Sequence, residues 1–337
     1  MIWIAVDAMG GDDAPRHVVD GALLAARHFD LGVLLVGPSG VIDRELARHG
    51  DLDRHRVRIV EAPEVVTMAE SPAAALRRKP SASIKVAAEA VARGEASALF
   101  SAGHTGATVI AAYGAFGLLP GVDRPALAAT VPTRRRPALL LDVGASVACR
   151  PQHLLQFGIM GSVYARVAFD LESPRVGLLS IGEEETKGNE LTREAYRLLK
   201  AAPLAFVGNV EARDVYRGDA DVIVCDGFTG NVALKISEGL VEVVEALLTE
   251  ELSSTMTMRV GSLLTRRALR HFRRRVDYSE YGGAPLLGVA GVTIVGHGRS
   301  NAKAVRNAVA MAYRFAANRL FDRVEQGIAA AVVPDCH

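Results

Sequence analysis

Short β-branched runs alternate with helix-forming segments along almost the whole chain, and this alternation limits the possible folds more than any other feature. Such βαβ units are typical of a mostly parallel sheet covered by helices. The predicted strands are Ile2–Asp7, Val33–Val36, Val57–Val60, Ala98–Ser101, Leu139–Val143, Val176–Leu179, Ala205–Val207, Val222–Cys225 and Val292–Val295. The predicted helices are Arg16–His28, Ser83–Arg93, Gly106–Leu118, Gln152–Phe169, Thr192–Leu199, Asn231–Glu250 and Ser300–Leu320. The pattern therefore predicts a three-layer α/β/α, Rossmann-like sheet.

The chain length is compatible with two domains or with one large α/β sheet. The chain has 337 residues, and a typical domain has about 150. No internal repeat, low-complexity linker or sharp composition break divides the sequence. We therefore predict one large α/β/α domain over residues 1–330, with a helical excursion over residues 240–276.

The excursion contains a basic block from Leu252 to Val276 that includes seven arginines and no acidic residue. Apolar residues recur within it at three- to five-residue spacing, which indicates a basic amphipathic helix. The apolar side of such a helix requires a partner. A dimer contact or a solvated helix end is one interpretation, and docking on an anionic membrane surface is the other.

Composition excludes several classes of protein. The chain has 39 basic and 38 acidic residues, a formal net charge of +1, which argues against wholesale nucleic-acid binding. Its three cysteines are far apart, so neither a CxxC pair nor a disulfide framework is expected. The start lacks a positively charged region and an uninterrupted apolar core, so we expect a cytoplasmic protein. The segment Ala96–Val122 lacks charged residues but contains five glycines and Pro120, and we expect a strand, a turn and a buried helix there.

Nearly every predicted strand is followed by glycine and polar residues. Ligands of open α/β sheets bind at the carboxyl ends of strands, where glycines let backbone N–H groups approach an anion. Seven such loops therefore suggest one phosphate-bearing site. The loops are DAMGGD (Asp7–Asp12), SAGHTG (Ser101–Gly106), DVGAS (Asp142–Ser146), SIGEEETKGNE (Ser180–Glu190), GNVE (Gly208–Glu211), DGFTGN (Asp226–Asn231) and GHGRSN (Gly296–Asn301).

The loops do not match the familiar cofactor fingerprints. DAMGGD lacks the GxGxxG spacing of a dinucleotide-binding turn, and the segment Gly182–Gly188 inverts the final Gly-Lys order of a Walker A loop. The sequence contains no HExxH, no paired Cys/His ligand spacing and no GxSxG elbow. We therefore expect anion handling with no cofactor and no metal.

The sequence also resembles a known family, the bacterial phosphate acyltransferases, which are the acyl-ACP:phosphate transacylases of phospholipid synthesis. The similarity extends from about Ile4 to Asn318. It rests on blocks that occur in the family's order: IAVDAMGGD (Ile4–Asp12), RPAL (Arg124–Leu127), LDVG (Leu141–Gly144), HLLQF (His153–Phe157), IGEE (Ile181–Glu184), KGNEL (Lys187–Leu191), GNVE (Gly208–Glu211), CDGFTGN (Cys225–Asn231) and YSEYGGAPLLG (Tyr278–Gly288).

The resemblance implies a reaction in which inorganic phosphate attacks the thioester of a long-chain acyl-ACP, giving acyl phosphate and free carrier. It implies a fold similar to isocitrate and isopropylmalate dehydrogenases, a homodimer and peripheral membrane association. The Leu252–Val276 segment is then a candidate membrane contact. The downstream partner is a membrane glycerol-3-phosphate acyltransferase that consumes acyl phosphate.

This chemistry requires backbone and hydroxyl donors for phosphate, a positive charge, and a group that moves a proton. Because a thiol leaving group has a pKa of about 8.5, it can depart with little help from a general acid. The candidate catalytic residues are Asp7, Lys187, Asp226, Asn231 and His297, of which the two aspartates and the histidine are acid-base candidates. The candidate substrate-binding residues are Gly10, Gly11, Asp12, Ser101, Gly103, His104, Thr105, Gly106, Asp142, Gly182, Asn189, Asn209, Thr229 and Gly230.

Several candidates also have a purely structural interpretation. Asp7 and Asp226 are suited to cap helices, Asn209 and Asn231 to occupy turns or caps, and Lys187 to be a solvated loop lysine. The sequence departs from the family pattern at four positions. His104 stands where the family has Asn, Ser146 and Ala148 replace Asn and Asp, and Ser180 replaces Asn. We expect His104 and Ser146 to line the site without being essential.

Three alternative functions remain open. The first is a phosphotransacetylase-like enzyme that uses a short acyl-CoA, and the second is a metal- and NAD-dependent hydroxyacid dehydrogenase of similar fold. The third is a catalytically inactive membrane-surface scaffold. Basic clusters at Arg134–Arg136 and Arg77–Lys79 favour an acidic carrier protein as the acyl donor.

Overall fold

The chain forms one eleven-stranded sheet with helices on both faces. The computed structural model describes residues 1–50, 53–255, 257, 258, 261, 265–267 and 282–331. The strands lie side by side in the order β3-β2-β1-β4-β11-β10-β5-β6-β9-β7-β8. They are β1 (Ile2–Asp7), β2 (Leu31–Gly37), β3 (Val57–Glu61), β4 (Ala98–Ser101), β5 (Ala126–Val131), β6 (Ala138–Leu141), β7 (Arg175–Ser180), β8 (Ala205–Glu211), β9 (Val222–Val224), β10 (Ala284–Leu287) and β11 (Thr293–Val295).

The helices cover the two faces of this sheet, which confirms the predicted three-layer α/β/α fold. They are α1 (Arg16–His28), α2 (Ser39–Leu46), α3 (Pro72–Arg78), α4 (Ser83–Ala92), α5 (Thr105–Phe116), α6 (Pro151–Ala168), α7 (Glu190–Ala201), α8 (Gly227–Ser253), α9 (Ala302–Ala317) and α10 (Leu320–Ala331). Helices α1, α6 and α9 bury apolar residues against one face. Helices α4 and α5 and the inner side of α8 pack on the other.

Central strands are buried on both faces, because helices cover each of them. Every residue of β2 and β4 is buried, so their sequences are continuous apolar runs and do not alternate with polar residues. Phe100 and Leu99 are neighbours in β4 and are both inaccessible to solvent, and they pack into opposite cores. Burial on both faces therefore accounts for the largely apolar composition of these strands.

The strand directions divide the sheet into two parallel parts that run in opposite senses. Strands β1 to β4 and β11 are parallel to one another, as are β6, β9, β7 and β8. Between the two parts, β10 pairs antiparallel with β11 and β5, and β5 pairs antiparallel with β6. The carboxyl ends of the two parts therefore leave opposite edges of the sheet. The glycine-rich loops therefore form two groups, and the prediction that they build one phosphate-bearing site stays a prediction.

Two strands and three helices were not predicted from the sequence. Strand β10 contains Pro285, which normally argues against an interior strand. Strand β5 is rich in alanine, which has little preference for strands. Helices α2 and α3 are short, with eight and seven residues, and α10 continues a segment whose predicted helix ended at Leu320.

The predicted excursion at residues 240–276 lies only partly within the described residues. Residues 240–253 belong to α8, and most of the remainder, including most of the arginine-rich block, lies outside them. The organisation of the chain as a single domain stays a prediction. In the part of the chain that the structure describes, no helix is long and apolar enough to cross a bilayer.

A buried carboxylate ties together the amino-terminal ends of the strands in the second parallel part. Asp221 is 1% exposed and accepts hydrogen bonds from Arg175 Nε at 3.0 Å and Arg136 Nε at 2.9 Å. Burial raises the pKa of Asp221, but the hydrogen bonds from the two arginines outweigh it and hold the pKa below its ordinary value. The ionised carboxylate therefore stabilises the fold at neutral pH.

We expect Asp221→Asn to lower the free energy of unfolding by about 2–3 kcal/mol at pH 7, because charged hydrogen bonds are lost. Since the folded-state pKa is depressed, this stabilisation is present above the unfolded pKa of about 3.9 and is lost as pH falls through the folded pKa. Urea unfolding of both proteins over a pH series measures the difference, which should shrink in acid. Asp219→Asn, which removes an exposed pair with Arg135, should change stability by less than about 1 kcal/mol. A difference between Asp221→Asn and the parent that does not vary with pH would contradict the assignment.

Candidate functional site

The first group of site loops follows β1, β4 and β11. At its base Asp7 is 3% exposed, and its Oδ2 accepts a hydrogen bond of 2.7 Å from Ser101 Oγ. Ser101 Oγ in turn accepts from the backbone N–H of Gly103 at 3.1 Å. Burial raises the pKa of Asp7, and hydrogen bonds from Ser83, Ser101 and Met9 oppose that rise. Asp7 therefore lies beneath the loops and fixes their shape.

Gly10 makes the close packing of this group possible. A Cβ at position 10 would lie 2.7 Å from Asp7 Oδ2, 2.7 Å from the Gly103 nitrogen and 2.8 Å from Ser101 Oγ. These atoms form the buried network itself, so they cannot move aside without breaking it. Gly11 has a φ of +125°, which favours glycine.

We expect Gly10→Ala to lower the free energy of unfolding by about 1–3 kcal/mol, the usual effect of overpacking, and to abolish most activity. Differential scanning calorimetry and a turnover assay measure the two effects. Gly40→Ala is the matched control, because position 40 lies in α2 with open space around it, and alanine there should be neutral or stabilising. Equal effects of the two substitutions would show that Gly10 has no special packing role.

Helix α5 begins in this group, and His104 caps it. The His104 Nδ1 accepts a hydrogen bond of 3.2 Å from the backbone N–H of Gly106. Thr105 and Gly106 form the first turn of the helix and are partly exposed. The first-turn N–H groups of α5 therefore face the loops after β1 and β4, where a helix N-terminus favours an anion.

We expect His104→Asn to keep turnover within about threefold of the parent and to keep the melting temperature, since asparagine is a good N-cap. His104→Ala should lose about 1 kcal/mol of stability because it removes the cap. Steady-state assays and thermal unfolding of both variants check this. A large loss of turnover in His104→Asn, with its stability unchanged, would instead indicate acid-base work by the imidazole.

The loop after β11 adjoins the loop after β1. The carbonyl oxygen of Gly298 accepts a hydrogen bond of 2.8 Å from the Asp12 backbone nitrogen. His297 precedes Gly298, and its side chain is 26% exposed. Its Nδ1 accepts from the backbone N–H of Arg299 at 3.2 Å. His297 is therefore the predicted acid-base candidate in this group that solvent reaches.

The second group of loops follows β6, β7, β8 and β9, and Asp142 lies at its base. The Asp142 side chain is inaccessible to solvent and accepts four backbone hydrogen bonds of 2.6–3.0 Å. Burial raises the pKa of Asp142, and the backbone hydrogen bonds, which favour the carboxylate, oppose that rise. Asp142 holds the loop after β6 in place and does not reach solvent. Its donors are the backbone nitrogens of Leu127, Gly144, Ala145 and Ser146.

Helix α8 begins in the second group and is capped by Asp226. Asp226 Oδ1 accepts from the backbone nitrogens of Phe228 and Thr229 at 3.0 and 2.9 Å, and Oδ2 accepts from Thr229 Oγ1 at 2.7 Å.

Asn231, in the first turn and a half of the helix, donates from Nδ2 to the Val143 carbonyl at 3.0 Å. Gly230 permits this approach, since a Cβ there would meet the Asp142 carbonyl oxygen and Cys225 Sγ.

Lys187 lies in the loop between β7 and α7 and is exposed. Its backbone nitrogen donates to the Glu184 carbonyl at 3.0 Å, and the same carbonyl accepts from Asn209 Nδ2 at 2.9 Å. Asn209 therefore supports the loop that carries Lys187.

Asn189 caps α7 by accepting a hydrogen bond from the Thr192 nitrogen at 2.9 Å. Gly182 is buried, and a Cβ there would lie 2.8 Å from Lys187 Cγ.

Two buried polar atoms beside this loop lack a partner within the described residues. Ser180 Oγ and Asn209 Oδ1 are inaccessible to solvent and make no hydrogen bond there. Buried hydroxyl and amide groups almost always have a partner, either protein or water. Ser180 Oγ and Asn209 Oδ1 therefore require a partner other than the described residues, such as a buried water molecule.

Helix α8 connects the two groups of loops. Glu238 Oε2 lies 3.2 Å from His297 Nε2, and Lys235 Nζ lies 3.3 Å from the same nitrogen. Burial raises the pKa of Glu238, but the hydrogen bond and charge of His297 and Lys235 outweigh it and lower the pKa overall. Neither Lys235 nor Glu238 was predicted from the sequence. Their sequence signal is only the spacing of four and seven residues from Asn231, and a solvated helix face shows the same spacing.

The predicted site residues thus fall into two groups joined by α8. Asp7, Gly10, Gly11, Asp12, Ser101, Gly103, His104, Thr105, Gly106 and His297 belong to the first, and Asp142, Gly182, Lys187, Asn189, Asn209, Asp226, Thr229, Gly230 and Asn231 belong to the second. Five strand steps separate β1 from β6, or about 24 Å at 4.8 Å a step. Helix α8 contacts the loop after β6 through Asn231 and the loop after β11 through Glu238, so it is the element that links the two groups.

The departures from the family pattern have different surroundings. Ser146 is buried, and its Oγ donates to the Pro125 carbonyl at 2.9 Å, so it supports the loop that Asp142 holds. Ala148 is exposed beyond that loop.

The two described cysteines, Cys149 and Cys225, are not activated as nucleophiles. Burial raises the pKa of Cys149 to about 11 and that of Cys225 well above its ordinary value.

Cavities do not locate the site in this structure. A cavity of about 370 Å³ lies at the end of α1 beside Phe29 and Arg56, away from both groups. A cavity of only about 10 Å³ lies between Asp7, Gly10 and Val65 in the first group. Within the described ranges, no three His, Cys, Asp or Glu side chains are arranged to hold a metal ion.

Comparisons with known proteins find close relatives over almost the whole chain. Residues 2–323 match the family described as "Fatty acid synthesis protein". The phosphate acyltransferase of Pelotomaculum thermopropionicum is 51% identical over 327 residues, which cover 96% of this chain and 94% of the relative. The phosphate acyltransferase of Nitratidesulfovibrio vulgaris strain DP4 is 53% identical over 328 residues, covering 97% and 95%.

Solved structures share the fold at low identity. A phosphotransacetylase from Streptococcus pyogenes has a TM-score of 0.61 at 17% identity, with 97% of this chain and 94% of that chain covered. A 4-hydroxythreonine-4-phosphate dehydrogenase from Klebsiella pneumoniae has a TM-score of 0.52 at 13% identity, with 94% and 99% covered. At these identities the similarity establishes the fold and not the activity.

Proposed function

Because this chain belongs to the fatty acid synthesis protein family and its curated relatives are phosphate acyltransferases, we propose that it transfers a long-chain acyl group to inorganic phosphate. The proposed donor is acyl-ACP, and the product is an acyl phosphate for phospholipid synthesis. The identity of 51% over 96% of the chain carries the proposal. The anion-binding features of the two loop groups agree with it.

In the proposed reaction a phosphate oxygen attacks the thioester carbonyl carbon. The tetrahedral intermediate then collapses, the C–S bond breaks, and the carrier thiolate leaves and takes up a proton. The step requires positive charge on phosphate and donors for the developing oxyanion. Lys187 supplies the charge, and the first turn of α5 supplies donors, because the first-turn N–H groups of α8 are already bonded to Asp226 and Ser146.

The acid-base candidates have unequal support. Asp7 is buried beneath Ser101 and Asp226 is occupied in capping α8, so both are better suited to position the loops. His297 is accessible, belongs to the first group and contacts Glu238 of α8, the helix that links the two groups. We propose His297 as the group that exchanges a proton with the leaving thiol, a modest task for a thiol with a pKa of about 8.5.

An acidic carrier protein requires a basic surface near the site. Arg135 and Arg136 are paired with Asp219 and Asp221, and Lys79 is paired with Glu70. Arg77 is exposed on α3, and a Cβ at Gly106 would touch Pro72 of the same helix at 3.0 Å. We therefore propose that the carrier docks beside α3, next to the start of α5.

The homodimer is also a proposal, and the outer face of α8 supports it. Large apolar side chains recur there at helical spacing and are 37–65% exposed, a patch larger than isolated apolar residues on a monomer. A second copy of the chain is the proposed cover. The residues are Phe228, Val232, Ile236, Leu240, Val243, Val244, Leu247 and Leu248.

We further propose a cytoplasmic protein in peripheral contact with the inner face of the membrane. The arginine-rich segment Leu252–Val276 supports this contact, because anionic lipids attract basic amphipathic helices. The contact would deliver acyl phosphate to the membrane glycerol-3-phosphate acyltransferase that consumes it.

Donor choice tests the proposed function against the nearest alternative. Thiol release is measured with palmitoyl-ACP, palmitoyl-CoA and acetyl-CoA, each with and without inorganic phosphate. We expect phosphate-dependent release with the highest kcat/KM for palmitoyl-ACP. Release only from acetyl-CoA would replace the proposal with a short-chain phosphotransacylase, and phosphate-independent release would indicate a thioesterase.

A further inference from the structure

The face of α8 that looks toward the site loops carries a stripe of polar residues. Asn231, Lys235, Glu238 and Glu242 follow one another at spacings of four, three and four residues, so they lie on one side of the helix. Asn231 contacts the loop after β6, and the next two residues contact the loop after β11. The stripe therefore extends from the second group of loops to the first.

Lys235 is held in place by its neighbours and still exposed. Its Nζ lies 3.3 Å from His297 Nε2 and 3.7 Å from Glu238 Oε2, while its side chain is 60% exposed. Because His297 Nδ1 accepts a hydrogen bond from the Arg299 nitrogen at 3.2 Å, the ring proton belongs on Nε2, where it points to Glu238. The ammonium keeps donors for a further ligand, since it has three N–H groups.

The Lys235 ammonium lies next to the glycine-rich loop after β11, through its contact with His297. His297 is followed by Gly298, whose carbonyl binds the Asp12 nitrogen at 2.8 Å and would lie 3.3 Å from a Cβ at Gly11. Lys235 therefore lies beside the loop after β11, which in turn binds the loop after β1. Position 235 is about 12 Å along α8 from the first residue of the helix, at 1.5 Å per residue. Lys187, by contrast, belongs to the second group.

We propose that Lys235 is a second cationic ligand of the phosphate and of the oxyanion that forms from the thioester carbonyl, with Glu238 as its positioning residue. The proposal rests on the proposed function. In it the ammonium donates hydrogen bonds and keeps its proton, so no bond is made or broken at Lys235. Attack of the phosphate dianion on a neutral thioester gives a transition state with two negative charges, which two cations stabilise better than one.

The test compares Lys235→Met, Lys235→Arg and Glu238→Gln with a matched control. Glu242→Gln is the control, because Glu242 forms an exposed ion pair of 3.1 Å with Arg299 between the same two elements. Two readouts are measured: kcat and KM for inorganic phosphate with palmitoyl-ACP, and the rise in melting temperature caused by phosphate alone. The second readout does not depend on turnover.

We expect Lys235→Met to raise the KM for phosphate about tenfold and to lower kcat/KM about a hundredfold, with loss of the phosphate-induced rise in melting temperature. Lys235→Arg should recover part of both, Glu238→Gln should be intermediate, and Glu242→Gln should stay within about twofold. An unchanged phosphate KM in Lys235→Met, or equal effects of Lys235→Met and Glu242→Gln, would overturn the proposal. If the parent forms no acyl phosphate the proposed function fails, whereas a phosphate-induced shift lost only in Lys235→Met would still support Lys235 as an anion ligand.

Discussion

Lys187→Met should lower the kcat/KM for acyl phosphate formation by about 10²- to 10³-fold, the usual loss when one stabilising charge is removed from a developing oxyanion. The Lys187 loop is shaped by hydrogen bonds from the backbone of Lys187 and from Asn209 to one carbonyl, that of Glu184. None of these involves the Lys187 ammonium, so the substitution should leave the loop intact. Steady-state assays with varied phosphate separate the effect on KM from that on kcat.

Lys200→Met is the matched control for this substitution. Lys200 lies on the neighbouring helix α7, where its ammonium pairs with Glu185 at 2.9 Å. The control removes the same charge from the same part of the surface, and we expect less than a twofold change in kcat/KM. A comparable loss in both variants would mean that general surface charge, and not a contact between Lys187 and phosphate, attracts the substrate.

Asp142→Ala should unfold most readily of all the variants considered, with a loss of about 3–5 kcal/mol in the free energy of unfolding. The four backbone N–H groups that converge on the carboxylate would each lose a partner in a site without solvent, and an unsatisfied buried donor costs about 1–3 kcal/mol. The expected loss is smaller than the sum over the four donors, because water can partly enter the space that the carboxylate leaves. Urea unfolding monitored by circular dichroism gives the difference.

Asp142→Asn and Asp123→Asn complete this comparison. Asn at position 142 keeps one acceptor oxygen but turns a donor toward another donor, the Ser146 nitrogen, so it should recover only part of the loss. Asp123 is exposed and accepts from Gln156 Nε2 at 3.1 Å, and its replacement should change stability by less than about 0.5 kcal/mol. Parent-like stability of Asp142→Ala would refute the account of the loop after β6.

Local sequence carries enough information for most of the fold. The predicted bounds of β1, β4 and α1 agree with the structure, because β-branched runs and a single apolar helix face are local features. The reversal of direction between the two parts of the sheet is not local. It depends on how β5 and β10 pair with strands distant in sequence. Because β10 contains Pro285, the sequence pattern does not predict a strand there.

The same limit applies to the candidate site. Glycine and polar residues after each strand identify the loops, but strand direction decides which loops meet, and so Asp7 and Asp142 belong to different groups. The cap roles of Asp226 and Asn189 were among the alternatives that their residue types allow. Lys235 and Glu238 were missed because a lysine and a glutamate on a long helix resemble any solvated face until their contact with His297 is known.

The proposed activity is the formation of acyl phosphate from acyl-ACP and inorganic phosphate. The most direct measurement is ³¹P NMR of purified protein mixed with palmitoyl-ACP and phosphate, with hydroxylamine added to parallel samples to trap the product as a hydroxamate. We predict a new acyl phosphate resonance that needs protein, carrier thioester and phosphate together, and that hydroxylamine removes. Free carrier and palmitate without that resonance, under conditions in which added acyl phosphate is stable, would contradict the claim.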